Sequence, residues 1–187
     1  MIIRPKPTAA ALTIACFVGL PWLGYSAERT VSEAPVKLAD PQRAAPNFVG
    51  IDNWLNSGSL NIADLRGKVV LVDFWTSGCI NCIRTLPYVT RLYDAYESKG
   101  LTIVGVHTPE FPFERSTSTV ETAIKRYGIR YPVAQDNEFA TWKAYRNQYW
   151  PAQYIVDRTG KIVFEHAGEG RYDQIERTIQ DLLNKSG

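Results

Sequence analysis

Apolar residues run without a break over 69–72 and resume at Phe74-Trp75, on either side of a single acid, Asp73. A continuous β-branched run of this length predicts a buried strand. From Cys79 to Lys99 the apolar positions Ile83, Leu86, Val89, Leu92, Tyr93 and Tyr96 recur at helical spacing, and Gly100 suits the C-terminal cap. Residues 101–107 repeat the strand pattern. Ser118 followed by Glu121 has the spacing of a capping box, opening a helix that Gly128 would stop. A short strand is predicted over 131–134 and a helix over 137–147, with Phe139, Trp142 and Tyr145 on its apolar side. Strands over 152–156 and 161–166 flank the turn Asp157-Arg158-Thr159-Gly160, and an amphipathic helix covers 173–184. Upstream, 48–65 is mixed with turn chemistry at Asn56-Ser57-Gly58, which predicts a short β-hairpin. The order βαβ, α, β, α, hairpin, α implies the α/β class. A central mixed sheet, parallel in its middle and antiparallel at one edge, is flanked by helices.

Residues 1–27 stand apart. Arg4 and Lys6 open them, 8–20 is almost wholly apolar, Pro21 and Gly24 break the run, and Ala27 supplies a small residue. This pattern is a secretory signal peptide or an uncleaved membrane anchor, and either exports the rest of the chain to the periplasm or its membrane face. A lipid attachment at Cys16 lacks the preceding leucine. Residues 28–45, rich in Ala, Pro and charge, are expected to be a flexible linker, and 46–187 one folded domain. The net charge of +2 comes entirely from Arg4 and Lys6, so the remainder is formally neutral and suggests no nucleic-acid partner.

With 1–27 removed, Cys79 and Cys82 are the remaining cysteines. One close pair in an exported chain does not staple a fold, so a functional pair is expected. Zinc would need two more ligands, and His107 and His166 have no paired spacing. Cys79 falls at a helix start, where unpaired N–H groups favour a thiolate, and is assigned as nucleophile. Cys82, one turn further in, is assigned as the resolving thiol. Asp73, an acid inside an apolar strand, is expected to have a raised pKa and to accept the proton of Cys82. Pro87 predicts a bend in its helix. His107, at a strand end, is expected to be a hydrogen-bonded structural histidine.

Phe74-Trp75, Cys79-x-x-Cys82, Asp73 six residues before the first cysteine and Pro87 five after the second resemble thioredoxin. The wider pattern is similar to the exported TlpA/ResA-like thioredoxins, which add an N-terminal hairpin and a strand-helix insertion, here 105–137. The runs Leu65-Arg66-Gly67-Lys68-Val69-Val70-Leu71, Cys79-Ile80-Asn81-Cys82, Gly105-Val106-His107-Thr108-Pro109-Glu110-Phe111 and Tyr149-Trp150-Pro151-Ala152 resemble the soluble redoxin domain of DipZ-type proteins. The resemblance covers about residues 46–185 and implies a thioredoxin fold. It implies that Pro151 is a cis-proline facing the cysteines and holding a substrate strand, with Trp75 and Trp150 flanking the site. Glu110, Glu114 and 168–172 fall in loops where a substrate groove is one reading and a solvated loop the other. In DipZ-type proteins the domain is fused to a membrane electron carrier. A separate membrane donor of the DsbD/CcdA type is therefore implied here. Ile80-Asn81 departs from the Gly-Pro of thioredoxin and leaves the redox direction open.

The function expected is a thiol–disulfide oxidoreductase acting on cysteines of exported proteins, as reductant, without a cofactor. Two rivals stand beside it. One is a thiol peroxidase, for which Thr76 matches the expected threonine while Val72 occupies the place of the proline. The other is a redox-inactive binding module on the same fold.

Overall fold

The computed structural model describes residues 43–185. Residues 1–27, expected to be a signal or anchor, Cys16 among them, and most of the expected linker lie outside the described residues. The linker's last three residues are described, and they join the sheet edge. Ala44 bridges Lys161, Ile162 N–H donates to the Arg43 carbonyl at 3.0 Å, and Ala45 N–H donates to the Gly160 carbonyl at 2.9 Å. Ordered pairing thus begins before residue 46.

Six strands form one sheet: β1 (Asn53–Leu55), β2 (Val69–Trp75), β3 (Leu101–His107), β4 (Val133–Gln135), β5 (Ala152–Val156) and β6 (Ile162–Ala167), in the order β1-β4-β3-β2-β5-β6. β2, β3 and β4 are parallel neighbours; β5, β6 and β1 pair antiparallel. The helices are α1 (Ile80–Tyr96), α2 (Thr117–Tyr127), α3 (Ala140–Ala144) and α4 (Tyr172–Asn184). The mixed sheet and flanking helices are those expected.

Alternation along the central strands builds two apolar layers. Val69, Leu71 and Trp75 of β2 and Leu101 and Ile103 of β3 face one way, against Leu86, Val89 and Leu92 of α1, Val120 of α2 and Ile175 and Ile179 of α4. Val70, Val72, Phe74, Val104 and Val106 face the other way, against Phe48, Trp142 and Tyr145. Both faces are covered, so β2 is buried throughout. Asp73, by the same alternation, points into the layer beneath α1.

Three expectations are corrected. Residues 48–65 form no hairpin. β1 pairs instead with β4, in register Trp54 to Ala134. Asn56, at φ 62°, turns the chain, and its amide donates to the Ile129 and Tyr131 carbonyls at 3.0 Å each, fixing the strand to a distant partner. Residues 62–65 then form a 3₁₀ turn capped by Asn61. The helix expected over 137–147 is only Ala140–Ala144. Phe139 and Arg146 take positive φ at its ends, and the Asp136 carboxylate accepts from the N–H groups of Thr141 (3.2 Å) and Trp142 (2.8 Å). The Ser118/Glu121 capping box does not form, because α2 starts at Thr117 with Ser116 as its cap; Gly128 ends it in the left-handed region as expected. Pro87 lies inside the continuous α1, where it lacks the N–H of its turn.

The packing is tight at Gly105 of β3. A Cβ there would lie 3.0 Å from both Trp75 Nε1 and Tyr131 Cε2, and both rings are fully buried. Gly105→Ala is expected to lower stability by about 1–3 kcal/mol, read as a lower midpoint in chemical denaturation with unchanged slope.

Candidate active site: the cysteine pair and the loop that holds it

The end of β2 and the start of α1 place the two thiols differently. Cys79 is the N-cap residue of α1, at φ −80° and ψ 119°, and is half-buried. Cys82 is fully buried. Both are free thiols in this structure. Burial pushes the Cys82 thiol far up; a hydrogen bond from the Thr76 backbone opposes this, and the charges of Cys79 and Asp73 add to it. Cys82 therefore holds its proton until something nearby takes it.

Asp73 is the acid on that face of the sheet. It is buried, and Gln153 Nε2, on the paired position of β5, donates to its Oδ1 at 2.9 Å. Burial raises its carboxyl to about 7, the Gln153 bond pulling slightly the other way. A carboxyl at that value exchanges a proton near neutral pH. Tyr131 lies within the field of Asp73, its hydroxyl buried and unbonded.

The Trp150–Pro151 peptide is cis, and Pro151 is buried. Its carbonyl accepts from Gly168 N–H at 2.8 Å, which brings the 168–172 loop to the site, and Glu169 of that loop pairs with Arg84 of α1 at 3.4 Å. Trp150 is half-buried, its indole N–H held by the Thr108 carbonyl at 3.0 Å and its ring against Trp142 at 4.2 Å.

Trp75 is fully buried in the layer that contains Cys82, with its ring edge-on to His107 at 5.0 Å. The β2 alternation that points Asp73 inward carries Trp75 with it. Glu114 is neither in an open groove nor in a solvated loop. It is fully buried and accepts hydrogen bonds from Thr76 Oγ1, Ser77 Oγ (3.1 Å), Gly78 N (2.6 Å), Glu110 N (2.8 Å) and Phe111 N (2.8 Å). Burial opposes its ionisation, but these bonds outweigh burial and hold its carboxyl below the usual range. His107 is buried as expected for a structural histidine, but neither ring nitrogen has a hydrogen bond. Desolvation lowers its pKa to about 4, against the pull of Glu114, so it is neutral. Thr76, on which a peroxidase reading rests, is buried with its hydroxyl given to Glu114.

Sequence reasoning missed the apolar rim. Ile80 (57% exposed), Phe111 (46%), Phe113 (63%) and Tyr149 (60%) are four of the five large apolar side chains left exposed among the described residues, Val49 being the fifth. Ile80 follows the nucleophile, Tyr149 precedes Trp150-Pro151, and Phe113 Cζ lies 3.6 Å from where a Gly78 Cβ would stand. Phe111 and Phe113 stack in parallel at 5.7 Å. A groove of about 360 Å³ runs from Ser77 and Phe113 along Ser118, Thr122 and Arg126 of α2. The Phe-Pro-Phe run inside a polar loop was the available signal.

The Redoxin family matches residues 40–182. DipZ of Mycobacterium tuberculosis (strain CDC 1551 / Oshkosh) is 47% identical over 143 residues, 75% of this chain and 21% of DipZ, so the chain spans about a fifth of that relative's length. The thiol-disulfide oxidoreductase ResA of Bacillus cereus is 30% identical over 140 residues, 75% of this chain and 77% of ResA. Among solved structures, the thioredoxin domain of a thiol-disulfide oxidoreductase from Bacteroides vulgatus superposes with a TM-score of 0.62 at 33% identity, covering 75% of this chain and 96% of that one.

Proposed function

The chain belongs to the redoxin family, and on that premise we propose that it is a thiol–disulfide oxidoreductase that reduces disulfides of exported proteins through Cys79 and Cys82. The observation that carries this reading is the asymmetry of the pair: a reachable thiol at a helix start, and a buried one on the same face of the sheet as a carboxyl of pKa about 7.

The cycle has two exchanges. The Cys79 thiolate attacks one sulfur of a client disulfide; a Cys79–client mixed disulfide forms, and the other client sulfur leaves as a thiolate that takes a proton. The Cys82 thiol then gives its proton to the Asp73 carboxylate, and its sulfur attacks Cys79 Sγ. The second client sulfur leaves, the client becomes a dithiol, and the chain holds a Cys79–Cys82 disulfide. Two electrons from a donor dithiol restore it, and a membrane carrier of the DsbD/CcdA type fits that role. Pro151 and the rim of Ile80, Phe113 and Tyr149 receive the client segment. Trp150, the residue before Pro151, is held by donating its indole N–H to the Thr108 carbonyl and so positions the cis peptide. Residues 1–27 act as signal or anchor, the segment up to residue 42 as tether, and the domain works in the periplasm or on the membrane facing it.

Reduction of insulin by dithiothreitol tests the reading. The full chain is expected to accelerate it catalytically; no rate above the dithiothreitol background would sink the oxidoreductase reading.

A further inference from the structure

We propose that Glu114 sets the redox poise of the Cys79–Cys82 couple, keeping the hydrogen-bond donors of the 76–78 loop away from the nucleophile's sulfur and so favouring the disulfide. This rests on the oxidoreductase reading and deepens it.

One carboxylate oxygen of Glu114 takes the Thr76 hydroxyl, the Ser77 hydroxyl and the Gly78 N–H, the last at 2.6 Å. These are the three residues immediately before Cys79. The other oxygen takes the Glu110 and Phe111 N–H groups, both at 2.8 Å, within its own turn. Glu114 is fully buried, and none of the ion pairs among the described residues includes it. Of the titratable groups around it, His107 of β3 is neutral, the Glu110 side chain is exposed, and Cys79 stands at the head of α1. The anion's charge is therefore not cancelled by a neighbouring cation.

A thiolate at a helix start is normally stabilised by nearby N–H and O–H donors. Here three such donors already serve a carboxylate, and that carboxylate brings a like charge toward the sulfur. Both effects disfavour the thiolate, hence the reduced state, and make the chain a stronger reductant. Glu114 acts through the 76–78 loop and touches no reacting atom, so it is a positioning residue. A brace with no further role would change stability alone.

The test is the equilibrium of the disulfide plus two glutathione with the dithiol plus glutathione disulfide, measured at about pH 9.5, where the thiolate is well populated, on the full chain. In Glu114→Gln the charge is gone and an amide N–H₂ faces donors it cannot accept from. The dithiol-to-disulfide ratio is expected to rise several-fold in the same buffer, toward the roughly tenfold limit that one unit of thiol pKa gives where the thiolate predominates. Glu114→Asp keeps the charge and can retain Glu110 and Phe111, but it is one methylene too short for the 76–78 donors. Its ratio is expected to rise about threefold. Folded variants whose ratios stay within twofold of the unsubstituted chain overturn the proposal, and so does failure of both to fold, which would make Glu114 a brace only. A reversible couple in the unsubstituted chain with unmoved variants removes the role of Glu114 alone. No reversible couple in the unsubstituted chain removes the oxidoreductase reading itself.

Discussion

Cys82→Ser is expected to stop the chain after its first chemical step. Cys79 remains half-buried at the start of α1 and still attacks a client disulfide. The serine hydroxyl cannot displace a sulfur, so the mixed disulfide accumulates as a covalent adduct visible on a non-reducing gel. Turnover is expected to fall by on the order of a thousandfold, as when one member of a catalytic unit is removed. Cys79→Ser loses turnover equally but gives no adduct, because Cys82 is fully buried and its proton is firmly held. The pair of variants separates the two thiols by product rather than by rate. Turnover of Cys82→Ser within tenfold of the unsubstituted chain would sink the resolving role.

The second large effect comes from Asp73, whose removal changes activity and stability in opposite directions. Its carboxyl titrates at about 7 in the fold against an ordinary 3.8. Below 7 it is protonated and cannot take the Cys82 proton, so resolution of the mixed disulfide is expected to quicken as pH rises through 7. Asp73→Asn removes that step and flattens the profile, with a loss of about 10²-fold at pH 8, the usual worth of a positioned base. For stability the sign is reversed. The unfolded chain releases this proton above pH 3.8 while the fold keeps it until about 7, so stability falls over that window and levels off beyond it. The carboxylate thus costs the fold up to about 4 kcal/mol at pH 8, at about 1.4 kcal/mol per unit. An asparagine at 73 can still accept from Gln153 Nε2 and can donate to Gln153 Oε1, which otherwise has no partner. Asp73→Asn should therefore raise the denaturation midpoint at pH 8 and leave it nearly unchanged at pH 3. A variant equally stable at both would show that the carboxyl is not strained by burial.

Local chemistry makes much of this legible. β2 and β3 are apolar runs, α1 and α4 carry a clear helical period, and at positive φ Gly128 ends α2 and Gly100 ends the 3₁₀ turn Glu97–Lys99 that follows α1. The cysteine pair and the acid before it are readable for the same reason: each gains its meaning from residues a few positions away. The features that escape such reading depend on distant partners. β1 exists as part of the sheet because Asn56 grips carbonyls beyond residue 128, and no local pattern over 48–65 signals that. α3 is short because Phe139 and Arg146 adopt positive φ, which neither residue type announces. The helix over 117–127 opens one residue before the serine whose spacing suits a cap. Glu114 reads as one more acid in a polar loop. Its burial follows from donors at 76–78 that reach it only when the insertion folds back across the site. Trp75 shares the face of Asp73 and the layer of Cys82, since the period of β2 sends it under the sheet's helical layer rather than to the surface.

The central claim is that Cys79 and Cys82 work as one dithiol. Its most direct test is to equilibrate the full chain in glutathione and dithiothreitol buffers and to quantify these two thiols by peptide mapping. The expected result is that both thiols disappear and return together, in one reversible two-electron transition at about −220 mV or lower, the range of reducing thioredoxins and glutaredoxins. A midpoint near about −120 mV would reverse the direction of exchange, and two thiols that titrate independently, or no reversible transition at all, would contradict the claim.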